Sequence, residues 1–93
     1  MALRFRWDSR KAAENLRKHR VSFNEATTVF DDPLSVTILD PDHSVGEQRF
    51  LLLGVSNRRR LLVVAHSERD ESIRIINARR ADRQERQMYE EEV

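Results

Sequence analysis

The chain opens on an alternation of apolar and basic residues. In "LRFRW" (residues 3–7) Leu3, Phe5 and Trp7 fall on one side and Arg4 and Arg6 on the other, the period-two pattern of a short half-buried strand. The period then changes. Asp8 has the chemistry of a helix N-cap, and "SRKAAENLRKH" is rich in helix formers, with Ala12, Ala13 and Leu16 predicted on its buried side. Arg17, Lys18 and His19 fall in its last turn, where the helix dipole favours cations, so His19 reads as a capping cation. Ser22 followed by Glu25 is a capping box, with Val21 placed to staple onto Ala26. "FNEATTVF" sets Phe23, Ala26, Val29 and Phe30 along one stripe, and Pro33 ends the helix. Almost nothing separates the two helices, so they form a tight hairpin.

From Leu34 onward the pattern is that of strands. "LSVTIL", "RFLLLGV", "RLLVVAHSER" and "SIRIINARR" are rich in β-branched or apolar residues, and "SNR" and "RDE" between the last three read as hairpin turns. Connections this short require antiparallel neighbours. "FLLLGV" and "LLVVA" are apolar on both faces, so the middle of the sheet is covered on both sides. The helical hairpin is one cover; a third helix or a partner must be the other. "DRQERQMYEEE" supplies such a helix, opened by a capping box of Asp82 and Glu85. Its apolar content is thin (Met88, Tyr89, Val93), and Glu90–Glu92 lie where the dipole disfavours acid, so it is expected to dock weakly. The order β-α-α-β-β-β-β-α predicts an α+β domain.

Composition narrows the class. The 93 residues are enough for a single domain, 1–93, with one core, and a 35% charged content implies a heavily solvated surface. The absence of cysteine excludes a thiol nucleophile and a thiolate metal site. "MALRFRWDSRKAAENL" has no apolar stretch of signal-peptide kind, and the runs "LLLGV" and "LLVVA" are far too short to span a bilayer. The expectation is a cytoplasmic protein without membrane association. A net charge of +1 hides an asymmetry: residues 49–93 carry ten arginines and no lysine. Singly these read as solvated sheet and turn positions. Together they favour an anionic partner, RNA phosphate or an acidic protein surface, because the guanidinium fork matches phosphate geometry.

Candidate chemistry concentrates in "LDPDHSVGEQRF" (residues 39–50). Asp40, Asp42, His43 and Glu47 could offer metal ligands, but Pro41 stiffens the segment and no second histidine stands in helical or hairpin relation to His43. No metal and no cofactor is expected. His43 and Glu47 are side-chain types that move protons near neutral pH, and Glu47 lies where a strand begins. Metal-free RNA cleavage needs a base for the 2′-hydroxyl, cations for the phosphorane and an acid for the leaving oxygen. All these types are present, but no spacing proves that they converge; taken alone, the segment reads as a polar approach to a strand. His66, inside "VVAHSER", reads as a buried core histidine. Tyr89 is divided evenly between packing and function.

Three separated segments carry a family resemblance. "FRWDSRKAAENLRKHRVSFNEATTVFDDPL", "DPDHSVGEQRFLLLGVSNRRRLLVVAHSER" and "RIINARRADRQERQMYEE" occur in order and together span nearly the whole chain. Within them "W-D…K…N…KH-x-V-x-F-x-E-A", "H-S-x-G-E-x-R-F" and "R-I-I-x-A-R-x-A…E…Y-E" are the most specific parts. They resemble the BrnT toxins of bacterial type II toxin–antitoxin modules. The resemblance implies a RelE-like fold, a helical hairpin packed on a curved antiparallel sheet, and a metal-independent ribonuclease that inhibits translation. It also implies neutralisation by a BrnA-like antitoxin, whose DNA-binding domain brings the complex to operator DNA. Carried over by motif, Arg74 and Arg79 are expected to stabilise transition-state charge and Glu47 or His43 to act as base. Tyr89 is expected as an auxiliary donor or stacking ring, and Arg49, Arg58 and Arg60 as RNA contacts.

The chain departs from the family pattern at Arg20, which stands where relatives have glycine in a left-handed cap, at "SNRRR", which replaces a glycine-containing turn, and at Asn77, where serine is common. The competing function is a non-catalytic homologue that serves as corepressor with its antitoxin; a plain RNA-binding domain is disfavoured by the lack of aromatic platforms. RNA and antitoxin are both expected on the sheet face away from the helical hairpin.

Overall fold

The computed structural model describes residues 3–40, 42 and 46–92, with only the backbone of Glu92. The order of elements is β1 (Arg4–Arg6), α1 (Ser9–His19), α2 (Phe23–Thr28), a 3-10 turn (Val29–Asp31), β2 (Val36–Asp40), β3 (Arg49–Val55), β4 (Leu61–Arg69), β5 (Ser72–Arg80) and α3 (Arg83–Glu92). This is the α+β order expected from the period changes. The strands form one sheet in the order β1-β5-β4-β3-β2. Strands β2 to β5 are an antiparallel meander, and β1 joins its far edge parallel to β5.

Local chemistry sets the helix boundaries. Asp8 Oδ1 accepts from the amides of Arg10 and Lys11 at 2.8 and 3.2 Å, and the first of these bonds to be felt, that of Lys11, holds the carboxyl below its usual range. Ser22 Oγ accepts from the Glu25 amide at 3.0 Å. The Glu25 carboxylate does not complete that capping box; it turns inward to Arg60 and Ser56. At the other end of α1, Arg20 has φ 60° and ψ 31°, and its amide bonds the Leu16 carbonyl: the left-handed cap inferred from the missing glycine. Arg59 (φ 62°) fills the same kind of position in the β3–β4 turn.

The expected apolar side of α1 is partly wrong. Ala12 packs on the core, but Ala13 is exposed and Leu16 is 49% exposed; the residue α1 buries is Asn15. The reason lies in β1. It covers only Ser72 to Arg74 of β5, so beyond it the β5 backbone has no strand neighbour. The Asn15 amide takes that place, donating to Ala78 O at 2.8 Å and accepting from Ala78 N at 3.1 Å, while also donating to Val21 O at 2.9 Å. A polar side chain is buried because it satisfies a strand edge.

Two apolar clusters sandwich the sheet. On the helical-hairpin side, Val21, Phe23, Ala26 and Val29 meet Leu52, Leu62, Val64, Ile73, Ile75 and Ala78, with Phe5, Trp7 and Phe30 at the border. His66 belongs to this side, edge-on to Phe30 and stacked on Phe50, and burial pushes its imidazole pKa down. It is the core histidine expected. On the opposite face Leu53, Leu61 and Val63 are covered by Tyr89 of α3. The third helix is therefore the second cover, but only over one end of the sheet.

Candidate active site

The meander sorts its arginines by alternation. Phe5, Phe50, Ile73, Ile75 and Ala78 face the helical hairpin or the rings packed beneath it, so the residues between them face the other way. Arg4, Arg6, Arg49, Arg74 and Arg79 consequently share the face opposite the hairpin. Register aligns several of them. Arg6 pairs with Arg74, Arg74 with Ser67, and Arg49 with Asp40. Phe50 pairs with His66, so Arg49 and Ser67, one step further, stand beside one another across β3 and β4.

Glu47 enters this row from the segment ahead of β3. Its Oε1 lies 3.9 Å from Arg74 Nη1, a loose pair with both side chains well exposed. The family resemblance named both residues, and the fold brings them together. His43 lies outside the described residues.

Between the Glu47–Arg74 pair and α3 runs a groove lined by Asp40, Arg49, Asn77 and Arg79, with Leu51, Val63 and Ala65 as apolar lining. Arg79 is held there by α3. Its Nη1 and Nη2 each donate to Glu85 at 2.8 Å, and Glu85 also closes a complete capping box with Asp82. The pairing raises the Arg79 pKa and lowers that of Glu85. Along β5, Arg79 stands roughly 15 Å from Arg74 at strand rise. The two arginines thus stand at different stations along one face.

Two expected contacts have other partners. Arg60 Nε donates to Glu25 Oε2 at 2.9 Å, its Nη2 bonds Glu25 Oε1, and Nη2 also reaches Arg20 O at 2.9 Å. Ser56 Oγ donates to Glu25 Oε2 at 2.7 Å. Arg60 and then Ser56 hold the Glu25 carboxyl below its usual range despite burial, and Glu25 raises Arg60 in return. The fork expected at a flanking phosphate is committed to a buried carboxylate 35 residues away. Arg58 is exposed in the same turn, about 20 Å from the Glu47–Arg74 row by strand rise.

Tyr89 is likewise engaged. Its hydroxyl donates to Asp32 Oδ2 at 2.7 Å, and burial together with that acceptor pushes its pKa up to about 12. Asp32 is a hub: Oδ2 also accepts from Val55 N at 2.8 Å and Oδ1 from Leu34 N at 2.9 Å. Burial opposes ionisation of Asp32, but these three donors, Tyr89 foremost, outweigh it and lower the pKa. No spacing in the sequence signalled either Glu25–Arg60 or Asp32–Tyr89.

Comparison with known proteins agrees with the motifs. The family described as "Ribonuclease toxin, BrnT, of type II toxin-antitoxin system" matches residues 7–85. Among solved structures the chain is similar to the Brucella abortus ribonuclease toxin BrnT, with 18% identity, a TM-score of 0.64, and coverage of 88% of this chain and 100% of that one. That likeness is one of fold. No match was found among curated protein sequences. Family membership implies an antitoxin as partner, and no helix among the described residues is long and apolar enough to cross a membrane. The chain belongs to the BrnT family of ribonuclease toxins of type II toxin–antitoxin systems.

Proposed function

We propose that this chain is an active, metal-independent endoribonuclease whose scissile phosphate binds at the Glu47–Arg74 pair. The observation that carries the reading is the 3.9 Å approach of a carboxylate to a guanidinium on an arginine-bearing sheet face. Glu47 takes the proton of the ribose 2′-hydroxyl. The freed oxygen attacks the adjacent phosphorus, a phosphorane forms, and the bond to the 5′ oxygen of the next nucleotide breaks. Arg74 neutralises the charge that grows on the non-bridging oxygens. His43, on the segment that leads to Glu47, returns a proton to the leaving oxygen. The products are a 2′,3′-cyclic phosphate and a 5′-hydroxyl end.

Arg49 and Arg79, on the groove that leads away from the pair, hold the flanking strand, with exposed Arg58 beyond them. Arg60 and Tyr89 have internal acceptors and maintain the scaffold. The antitoxin, BrnA-like and DNA-binding, covers the same face, so that RNA and antitoxin exclude one another and operator DNA is reached only through the antitoxin. The protein acts in the cytoplasm, where RNA cleavage inhibits translation.

Cleavage of RNA by the purified chain in excess EDTA tests the reading. Glu47→Gln and Arg74→Ala should each lower the cleavage rate by about 100-fold or more with the melting temperature held. A folded wild-type chain that leaves RNA intact in vitro, and growth unaffected when induced alone, would instead point to the corepressor role.

A further inference from the structure

Next to the groove lies a buried hydroxyl without a hydrogen-bond partner among the described residues. Val63 and Ala65 line it, and the next residue of β4 on that face is Ser67. Ser67 is 1% exposed, and its Oγ has no hydrogen-bond partner among the described residues. A buried hydroxyl without a partner is uncommon, because its desolvation is not offset. Every neighbour along its row adds to the anomaly. Arg74 pairs with it from β5, Arg6 flanks Arg74 from β1, and Arg49 stands beside it on β3. Carboxylates are present too: Glu47 at Arg74 and Asp40 paired with Arg49. Ser67 is therefore set among three arginines, one of which, Arg74, is held only loosely by a carboxylate. Ala65 and Ser67 are also the smallest side chains on that face of β4, which lets a ligand approach the strand closely.

We propose that Ser67 is a substrate-contacting residue: its hydroxyl donates a hydrogen bond to a non-bridging oxygen of the RNA phosphodiester held by Arg74, with Arg6 as a second cation on the same group. The inference rests on the reading that RNA binds this face. A phosphate competes with Glu47 for Arg74, and the loose, exposed pair yields to it. Moving Arg74 opens the ladder position beside Ser67, and the hydroxyl acquires the acceptor it lacks. Ser67 and Arg6 lie within the segments that resemble the family but at none of the specific motif positions, so neither stood out as a candidate in the sequence.

The test compares wild type with Ser67→Ala and Ser67→Cys, the latter close in size but a weak donor. Three quantities are read: melting temperature, kcat/KM on RNA, and affinity for a 2′-O-methyl oligoribonucleotide that binds but is not cleaved. The expected result is a melting temperature equal to or above wild type in both variants, a fall of 10- to 100-fold in kcat/KM, and about tenfold weaker binding of the analogue. Arg6→Ala should weaken analogue binding in the same direction without unfolding. Wild-type cleavage and binding in both Ser67 variants overturns the proposal, and so does a lower melting temperature that accounts for the loss. If wild type binds the analogue, Ser67→Ala binds it less, and neither cleaves RNA, the contact stands while the nuclease reading falls. A wild type that neither binds nor cleaves overturns both.

Discussion

Tyr89 and Asp32, 57 positions apart in the chain, are joined by a 2.7 Å hydrogen bond that ties α3 to the turn ahead of β2. The same Asp32 oxygen accepts from the Val55 amide, so one carboxylate links three segments. With its pKa at about 12, the phenol keeps its proton throughout the physiological range and gives it to Asp32. Tyr89→Phe should cost about 1 kcal/mol, lowering the melting temperature by about 4–8 °C, with RNA cleavage per folded molecule close to wild type. Lost cleavage at unchanged stability would restore a chemical role for the hydroxyl.

Arg60 and Glu25 make the most buried ion pair among the described residues. Arg60→Ala leaves the Glu25 carboxylate with Ser56 as its hydrogen-bond donor among the described residues, and removal of one partner of such a pair costs about 3 kcal/mol. A fall of more than 10 °C in thermal unfolding is expected, with RNA affinity of the remaining folded protein unchanged. The opposite pattern, weak RNA binding in a fully stable variant, would return Arg60 to the substrate.

Arg79 should behave differently. It lines the groove, and its loss leaves Glu85 without its bidentate partner. Arg79→Ala is expected to reduce the slope of log affinity for RNA against log salt by about one, as for a single phosphate contact, and to lower the melting temperature by a few degrees. An unaltered salt slope would confine Arg79 to holding α3.

Arg20 bears a left-handed backbone that glycine adopts at lower cost. Among the described residues its hydrogen bonds are made by the backbone: the amide donates to Leu16 O and the carbonyl accepts from Arg60. Arg20→Gly should therefore stabilise the fold by up to about 1 kcal/mol. Calorimetry decides it, and a lower melting temperature would mean that the side chain contributes more than the backbone strain removes.

Acid sensitivity should begin at His66. Its folded pKa is depressed by burial, so the unfolded chain binds the extra proton more readily. Stability is full above the unfolded value of about 6.5 and falls as pH drops through it toward the lower folded value. Urea unfolding from pH 7 to pH 5 should show this decline, and His66→Phe should flatten it. The lowered carboxyls of Glu25, Asp32 and Glu85 follow in a more acidic window: their contribution is present above the unfolded carboxylate value and is lost as pH falls through the folded one. A wild type equally stable at pH 7 and pH 5 would contradict the burial of a neutral imidazole.

Local sequence pattern by itself determined the succession of elements, the strand spans to within two residues and the capping residues Asp8, Ser22 and Asp82, and the family resemblance pointed to the strained cap at Arg20. These are local properties, set by side-chain alternation and by which backbone groups lack a partner at a helix end. Motif likeness added Glu47 and Arg74 as separate candidates, and the fold set them side by side. Tertiary structure alone decided which partner each polar side chain meets. Whether an arginine meets phosphate or a buried carboxylate depends on a partner 35 residues away, as with Glu25 and Arg60, and no local pattern encodes that distance. Asn15 is buried because β1 stops short on β5, and Ser67 stands out because strand register sets it among three arginines. Both follow from which strands lie side by side, a fact that exists only once the chain has closed on itself.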